Sequence, residues 1–290
     1  MGVWIMVKRK KLHSFDAIVI IILFVVGILC LFPLMYVFSV SVTPMAEIYK
    51  NGGFVVIPRS FTLDAYKNII FKSGIPRALI ITICVSFVGT ILSLVLTVLV
   101  AYPISRKDLP GRKIFVPYFI FTMLFSGGII PTYLVVKNLG LTGTYLALLL
   151  PAAMSTYNIL VTKAFFEGLP YELLEAARID GANEFIILLR IVLPLSRPVI
   201  MTIGLFYLVS YWNTYFDAIM YITNDKMQPL QVVLRKLLTI NSSIQNVEQV
   251  LPSTTLQMAA VIVSSVPIII IYPFLQKYFT KGMVLGAVKG

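Results

Sequence analysis

Ser210, Asn213, Asp217 and Tyr221 recur at intervals of three and four, a spacing that gathers them on one face if their apolar surroundings are helical. A hydroxyl, an amide, a carboxylate and a phenol on one stripe can hydrogen-bond a polar solute. Beside them Tyr211, Trp212 and Tyr215 offer ring faces on which a sugar can stack. An ionised carboxylate at mid-bilayer costs about 2.5–3.5 kcal/mol on insertion scales. Asp217, the one acidic residue well inside an apolar run, therefore faces protein, water or solute. Alternatively, it reaches interfacial water from the outer end of its run, where tyrosine and tryptophan also serve as anchors. Tyr157 and Asn158 form a second polar pair in the preceding run. An asparagine in such a helix can also simply bond a neighbouring helix.

Bond-making chemistry finds little support elsewhere in the chain. His13 is the only histidine, which removes nearly all histidine-based acid–base and metal chemistry. Cys30 and Cys84 each lie inside an apolar run without further metal ligands nearby, so they read as packing residues. No Gly-x-x-x-x-Gly-Lys-Ser/Thr phosphate loop occurs, and neither does a nucleophile elbow or a paired intramembrane carboxylate. The sequence carries no catalytic, cofactor-binding or metal residues.

The elements that must position the polar stripe follow from composition. Of 290 residues, 59% are hydrophobic and 12% charged, and the mean hydropathy is +0.92. That leaves too little polar surface for a soluble globule. The net charge of +12 does not point to nucleic acid, because the basic residues are spread between long apolar runs. Six runs have the roughly 20-residue length that a crossing helix needs: Ala17–Val40, Ala78–Ser105, Ile114–Val136, Tyr145–Thr162, Pro198–Ile222 and Leu256–Gln276. The first follows Lys8-Arg9-Lys10-Lys11 but is too long for a signal-peptide core, so it reads as an uncleaved anchor. With the N-terminus inside, most of the 24 basic residues fall in cytoplasmic segments, including Arg106, Lys107, Arg112 and Lys113 in one short loop. The first external loop, about Ser41–Arg77, also carries basic residues, at a length where that rule loosens.

The expected fold class is an all-α polytopic membrane protein with six transmembrane helices and both termini cytoplasmic. A cytoplasmic N-terminus covers 1–16, a single transmembrane domain 17–280 and a cytoplasmic tail 281–290. Gly127-Gly128 followed by Pro131 should interrupt the third span, marking a gate or a tight crossing. The external segment after the fifth span has enough apolar residues around Pro229–Leu237 for a short helix. That helix either receives a partner or folds back on its own subunit.

The loop 163–197 is too polar to cross a membrane and too well patterned to be slack. Pro170 suits the start of a helix, and Glu172 then lies near the positive end of its dipole. Leu173, Leu174, Ala177 and Ala176 supply an apolar stripe, and Gly181 stands where the helix would stop. Phe185–Leu195 begins a second helix. The unit reads as helix, turn and helix on the cytoplasmic membrane face, with Ala176 and Ala177 small enough for a partner to approach. The same pattern also suits an interfacial amphipathic helix with no partner.

Glu175-Ala176-Ala177, Asp180-Gly181-Ala182, then Ile191, Leu193 and Pro194 resemble the EAA loop of ABC importer permeases. Phe125-Ser126-Gly127-Gly128, Ile130-Pro131-Thr132-Tyr133, Trp212-Asn213 and the closing Lys281–Gly290 are similar to the carbohydrate-uptake branch, which includes the second permease of maltose-type oligosaccharide importers. The resemblance implies a type I importer permease fold. It assigns Glu175, Ala176, Ala177, Asp180, Gly181 and Ala182 to a coupling helix seated on a cytoplasmic ATPase, with Lys289 and Gly290 in a possible second contact. It further implies a bacterial inner-membrane location, a second homologous permease chain, an ABC ATPase dimer that binds ATP and magnesium, and an extracytoplasmic solute-binding protein. On this reading Ser210, Trp212, Asn213, Asp217, Tyr157 and Asn158 are candidates for the substrate pathway. The competing readings are an amino-acid or polyamine ABC permease, for which an acidic cavity around Asp217 would select a cation, and a secondary transporter.

Overall fold

The structure is a computed structural model that describes residues 14–239 and 254–287. Lys289 and Gly290 lie outside the described residues. Every regular element among the described residues is helical. α1 (Ser14–Ser41) is apolar on all sides, and in the isolated chain its isoleucines, leucines and phenylalanines stand exposed. A helix with that pattern belongs in lipid or against other apolar helices. Its end turns inward, with Val40 and Thr43 fully buried. α2 (Met45–Lys50) and α3 (Asp64–Lys72) follow. Between them Glu47 accepts the backbone N–H groups of Arg59 and Ser60 at 2.9 and 3.0 Å, which closes the loop on itself.

α4 (Ile75–Ser105) has 31 residues, about 46 Å at 1.5 Å per residue, so it outreaches a hydrocarbon core of about 30 Å. α5 (Arg112–Leu124) and α6 (Ile129–Asn138) meet at 111°. The turn is made at Gly128, whose φ of +84° suits glycine alone. The interruption expected at Gly127-Gly128 is therefore present, and it turns the third apolar run back on itself.

The fourth run is also divided. α7 (Leu146–Leu149) and α8 (Thr156–Glu167) are separated by a turn containing Pro151. Next come α9 (Tyr171–Ile179), α10 (Glu184–Ile187), a π-helical turn at Leu188–Val192, α11 (Leu193–Leu195) and α12 (Arg197–Trp212). The helical stretch Glu184–Leu195 meets α12 at 84°. α13 (Phe216–Tyr221), a 3-10 turn at Asp225–Met227, α14 (Leu230–Thr239) and α15 (Thr254–Ala287) complete the described chain. α15 continues through residues that the sequence assigned to the tail.

Among the described residues, α1, α4 and the Thr254–Ile271 part of α15 are each long and apolar enough to cross a membrane. The pair α5–α6 and the pair formed by Glu184–Leu195 and α12 also pass that test when each is taken together. α8 and α12 both pack along α4, which makes α4 the centre of the molecule. One face of α4 buries Thr82, Ser86, Ser93 and Thr97 with Gly89 among them. A Cβ added to Gly89 would stand 2.6 Å from Tyr211 Cε2, and one added to Gly204 would stand 3.3 Å from Leu94. Glycine on each helix thus lets α4 and α12 approach closely.

The polar face of α4 is matched by two tyrosines. Tyr207 Oη lies 2.8 Å from Thr97 Oγ1 and accepts the Ser155 backbone N–H at 3.1 Å. Tyr211 Oη lies 3.0 Å from Ser93 Oγ and donates to the Leu149 carbonyl at 3.0 Å. Leu149 and Ser155 flank the turn between α7 and α8, where no helical ladder serves the backbone. Buried backbone groups need partners, and in lipid no water supplies them. The tyrosines of α12 do so here.

Candidate functional site

α9 is built from the local chemistry of the EAA stretch. Pro170 is its N-cap, and Glu172 and Arg178 complement the dipole in its first and last turns. At the other end, Gly181 takes a φ of +80°. The Gly181 N–H reaches the Arg178 carbonyl at 3.0 Å and the Ala182 N–H reaches the Ala177 carbonyl at 2.9 Å. This pair of bonds is a Schellman motif, which closes a helix with a glycine in the left-handed region. Asn183 then caps α10, its Oδ1 accepting the Ile186 N–H at 2.9 Å.

The expected apolar stripe divides. Leu174 is 2% exposed and Ala177 packs beside it, both against a core of Val98, Tyr102, Phe166 and Ile187. Leu173 faces out, together with Glu175, Ala176, Asp180 and Gly181. Ile179 is 82% exposed. The outward face of α9 is therefore a carboxylate, a small residue and an open apolar side chain, while Ala182 is half-buried.

Two polar clusters that the sequence reading did not anticipate lie at this end of the molecule, and the first fixes this segment to the rest of the chain. Glu184 accepts from Tyr102 Oη at 2.5 Å through Oε2 and from Arg178 Nε at 2.8 Å through Oε1. Arg178 also lies 3.6 Å from Asp108, and the Arg106 guanidinium sits 4.3 Å over the Tyr102 ring. Burial raises the Glu184 carboxyl, but the bonds from Tyr102 and Arg178 outweigh it, and the net displacement is below the ordinary glutamate value. In the second cluster, Glu167 pairs with Arg112 and with Lys163, the latter at 2.9 Å. Arg112 Nε also donates to the Ile104 carbonyl at 3.0 Å. The end of α4, the short loop after it, the end of α8 and the α9–α10 turn form one connected block. Tyr102 and Glu184 are 82 positions apart, so no local pattern could have revealed their contact.

The candidate pathway residues are not all brought together. α12 ends at Trp212, and the turn at 213–215 separates Ser210 from Asp217 and Tyr221. The four-residue stripe therefore does not lie on one continuous helix. Ser210, Asn213 and Asp217 are exposed, whereas Tyr221 is buried and stacks on Tyr133 with ring centroids 6.0 Å apart. Trp212 is 4% exposed in a core with Ile69, Ile75, Ala78 and Leu230, so its ring offers no open face. In α8, Tyr157 is exposed and Asn158 is buried next to the helix cap, its N–H reaching Ser155 Oγ at 3.4 Å. α14 folds onto its own subunit, with the Leu230 N–H bonded to Thr82 Oγ1 at 2.8 Å. Among the described residues no group of His, Cys, Asp and Glu could hold a metal ion.

Long apolar helices and bent apolar helix pairs, with a glycine-closed turn held at the end of α4, are the architecture of a multi-pass membrane protein. The model of the family described as binding-protein-dependent transport system inner membrane component matches residues 107–285, and the chain belongs to that family. It is 42% identical to the polygalacturonan/rhamnogalacturonan transport system permease protein YtcP of Bacillus subtilis (strain 168), covering 97% of this chain and 100% of that one. It is also 42% identical to protein LplC of the same organism, over 98% of this chain and 97% of the relative. Among solved structures it resembles a chain of a bacterial ABC transporter involved in the import of the acidic polysaccharide alginate. That match has a TM-score of 0.85 and 30% identity, and covers 93% of this chain and 100% of that chain. The fold is that of an ABC importer permease.

Proposed function

We propose that this chain is one half of the translocation pathway of a type I ABC importer for a carbohydrate in the bacterial cytoplasmic membrane. The capped α9 carries this reading: its buried side, Leu174 and Ala177, is locked into the cytoplasmic end of the molecule, while Glu175, Ala176, Asp180 and Gly181 face outward. Exposed apolar and small residues on a rigid helix suit a docking surface. A cytoplasmic ATPase dimer, which binds ATP and magnesium, closes and pulls on this face. The salt-bridged block passes that displacement to α4 and α8 as a rigid body, and the central cavity alternates between its two openings. The chain itself is non-catalytic and holds no cofactor.

Six crossings fit this assignment, made by α1, α4, α5–α6, α7–α8, α12–α13 and α15, with both termini cytoplasmic. A second homologous permease supplies the other half of the cavity and covers apolar surface left open on α5 and α6. An extracytoplasmic solute-binding protein delivers the substrate. Carbohydrate is favoured because the relative YtcP is named for polygalacturonan and rhamnogalacturonan transport and the structural neighbour belongs to an importer of alginate. Ser210, Asn213, Asp217 and Tyr157 remain exposed and suit the pathway, whereas Trp212 and Asn158 support it from within the core.

Affinity purification of the tagged chain from native membranes in mild detergent, followed by mass spectrometry, tests the assembly. Recovery of an ABC ATPase, a second permease and a solute-binding protein is the expected result. Recovery of this chain alone, under conditions that preserve a control importer, overturns it.

A further inference from the structure

Beside the turn that ends α12, a cleft of about 360 Å3 opens against α14, lined by Tyr215, Gln231, Leu234, Arg235 and Leu238. Its volume lies in the range of small-ligand sites. It adjoins the candidate pathway directly, because Gln231 Nε2 donates to Asn213 Oδ1 at 3.5 Å. The cleft therefore continues a line of exposed polar groups from Ser210 through Asn213 to the outer surface.

Among the described residues no carboxylate pairs with the charge in this cleft. Lys236, the next residue, is paired with Asp225 at 2.7 Å and lines a different pocket, with Arg77 and Gln228. Arg235 is exposed and makes no ion pair among the described residues. A guanidinium presents two parallel N–H donors that match a carboxylate, and it is less strongly hydrated than an ammonium group. Tyr215 adds a ring that can cover the C–H face of a sugar, Gln231 an amide for hydroxyl groups, and two leucines a dry floor. A neutral sugar offers the guanidinium no counter-charge, whereas a carboxylated one does.

We propose that this cleft is an outer binding site for a uronate unit of an oligosaccharide, with Arg235 holding the carboxylate and Tyr215 stacked on the ring. The assignment rests on the carbohydrate reading and narrows it to acidic carbohydrates. Uptake would be measured with the complete importer in proteoliposomes at saturating binding protein, using trigalacturonate and its uncharged methyl ester. Arg235→Gln is expected to raise the half-saturating concentration of trigalacturonate at least tenfold and to change that of the ester less than twofold. Arg235→Lys should fall between Arg235→Gln and the parent.

Unchanged trigalacturonate uptake by Arg235→Gln overturns the proposal. So does an equal loss of both solutes accompanied by weaker binding-protein association, which assigns Arg235 to protein docking instead. A parent importer that carries neutral oligosaccharides but not trigalacturonate overturns this inference alone. One that carries none of a panel of neutral and acidic oligosaccharides overturns the carbohydrate reading with it.

Discussion

The Tyr211 ring packs against Gly89, close enough that a methyl group at position 89 would stand 2.6 Å from Cε2. Tyr211 is 2% exposed and its hydroxyl is held at both Ser93 and Leu149, so the ring has no free direction in which to retreat. Gly89→Ala is expected to cost about 1–3 kcal/mol through overpacking. Tyr211→Phe is expected to cost about 1–2 kcal/mol, chiefly by leaving the Leu149 carbonyl unpartnered. Thermal unfolding of the purified protein in detergent would show both losses. A Gly89→Ala variant with parental stability would mean that α4 and α12 are not in this contact.

Glu175→Lys and Ala176→Trp change only the exposed face of α9. Both are expected to reduce ATPase co-purification and uptake at least tenfold while membrane insertion and thermal stability stay at parental levels. Parental uptake in both variants would dismiss this face as the ATPase contact.

Gly181 has a φ of +80°, where a side chain is strained. Gly181→Ala is expected to destabilise the end of α9 by about 1–2 kcal/mol, and Gly181→Asn by less, since asparagine tolerates this region. Hydrogen exchange at the Gly181 and Ala182 amides would report the loosening. Equal protection in the parent and Gly181→Ala would contradict the Schellman closure.

The Glu184 carboxyl, held below its ordinary value of 4.5 by Tyr102 and Arg178, links the stability of the α9–α10 block to pH. A lowered folded-state pKa means that the contribution is complete above the unfolded value and is lost as pH falls through the folded one. The parent should therefore hold constant protease resistance at 178–184 above about pH 6, well past the ordinary glutamate range, and lose it below pH 4.5. Glu184→Gln should be more easily cleaved at neutral pH and show a weaker acid dependence. Identical acid profiles for the two proteins would exclude this carboxylate as the source.

Helical class, apolar runs and the EAA turn were legible because each rests on neighbouring residues. Leu174, Gly181 and Asn183 announce their helix and its end within one short stretch. The breaks at 150–155 and 213–215 were less so. A helix yields to a turn inside an apolar run only when something else satisfies the backbone, and for the first break that is a pair of tyrosines more than 50 positions away. The reading of Ser210 to Tyr221 as one stripe assumed an unbroken helix, and the turn after Trp212 removes that premise. Trp212 offered itself as a stacking surface by type alone, and only tertiary packing shows its ring enclosed by α3, α4 and α14. The Glu184 cluster was beyond reach for the same reason, since its members come from three separate segments.

The pairing of α4 with α12 also sets a timetable for synthesis. Thr97 and Ser93 meet their tyrosines 110 and 118 residues later in the chain. At 5–20 residues per second, the ribosome needs roughly 5–25 s to make the second partner after the first. Throughout that interval Ser93 and Thr97 are without those partners and can bond only their own helix's carbonyls or water. The Ser93 and Thr97 hydroxyls therefore reach their final partners only once α12 arrives, and a partly hydrated environment would shelter them until then.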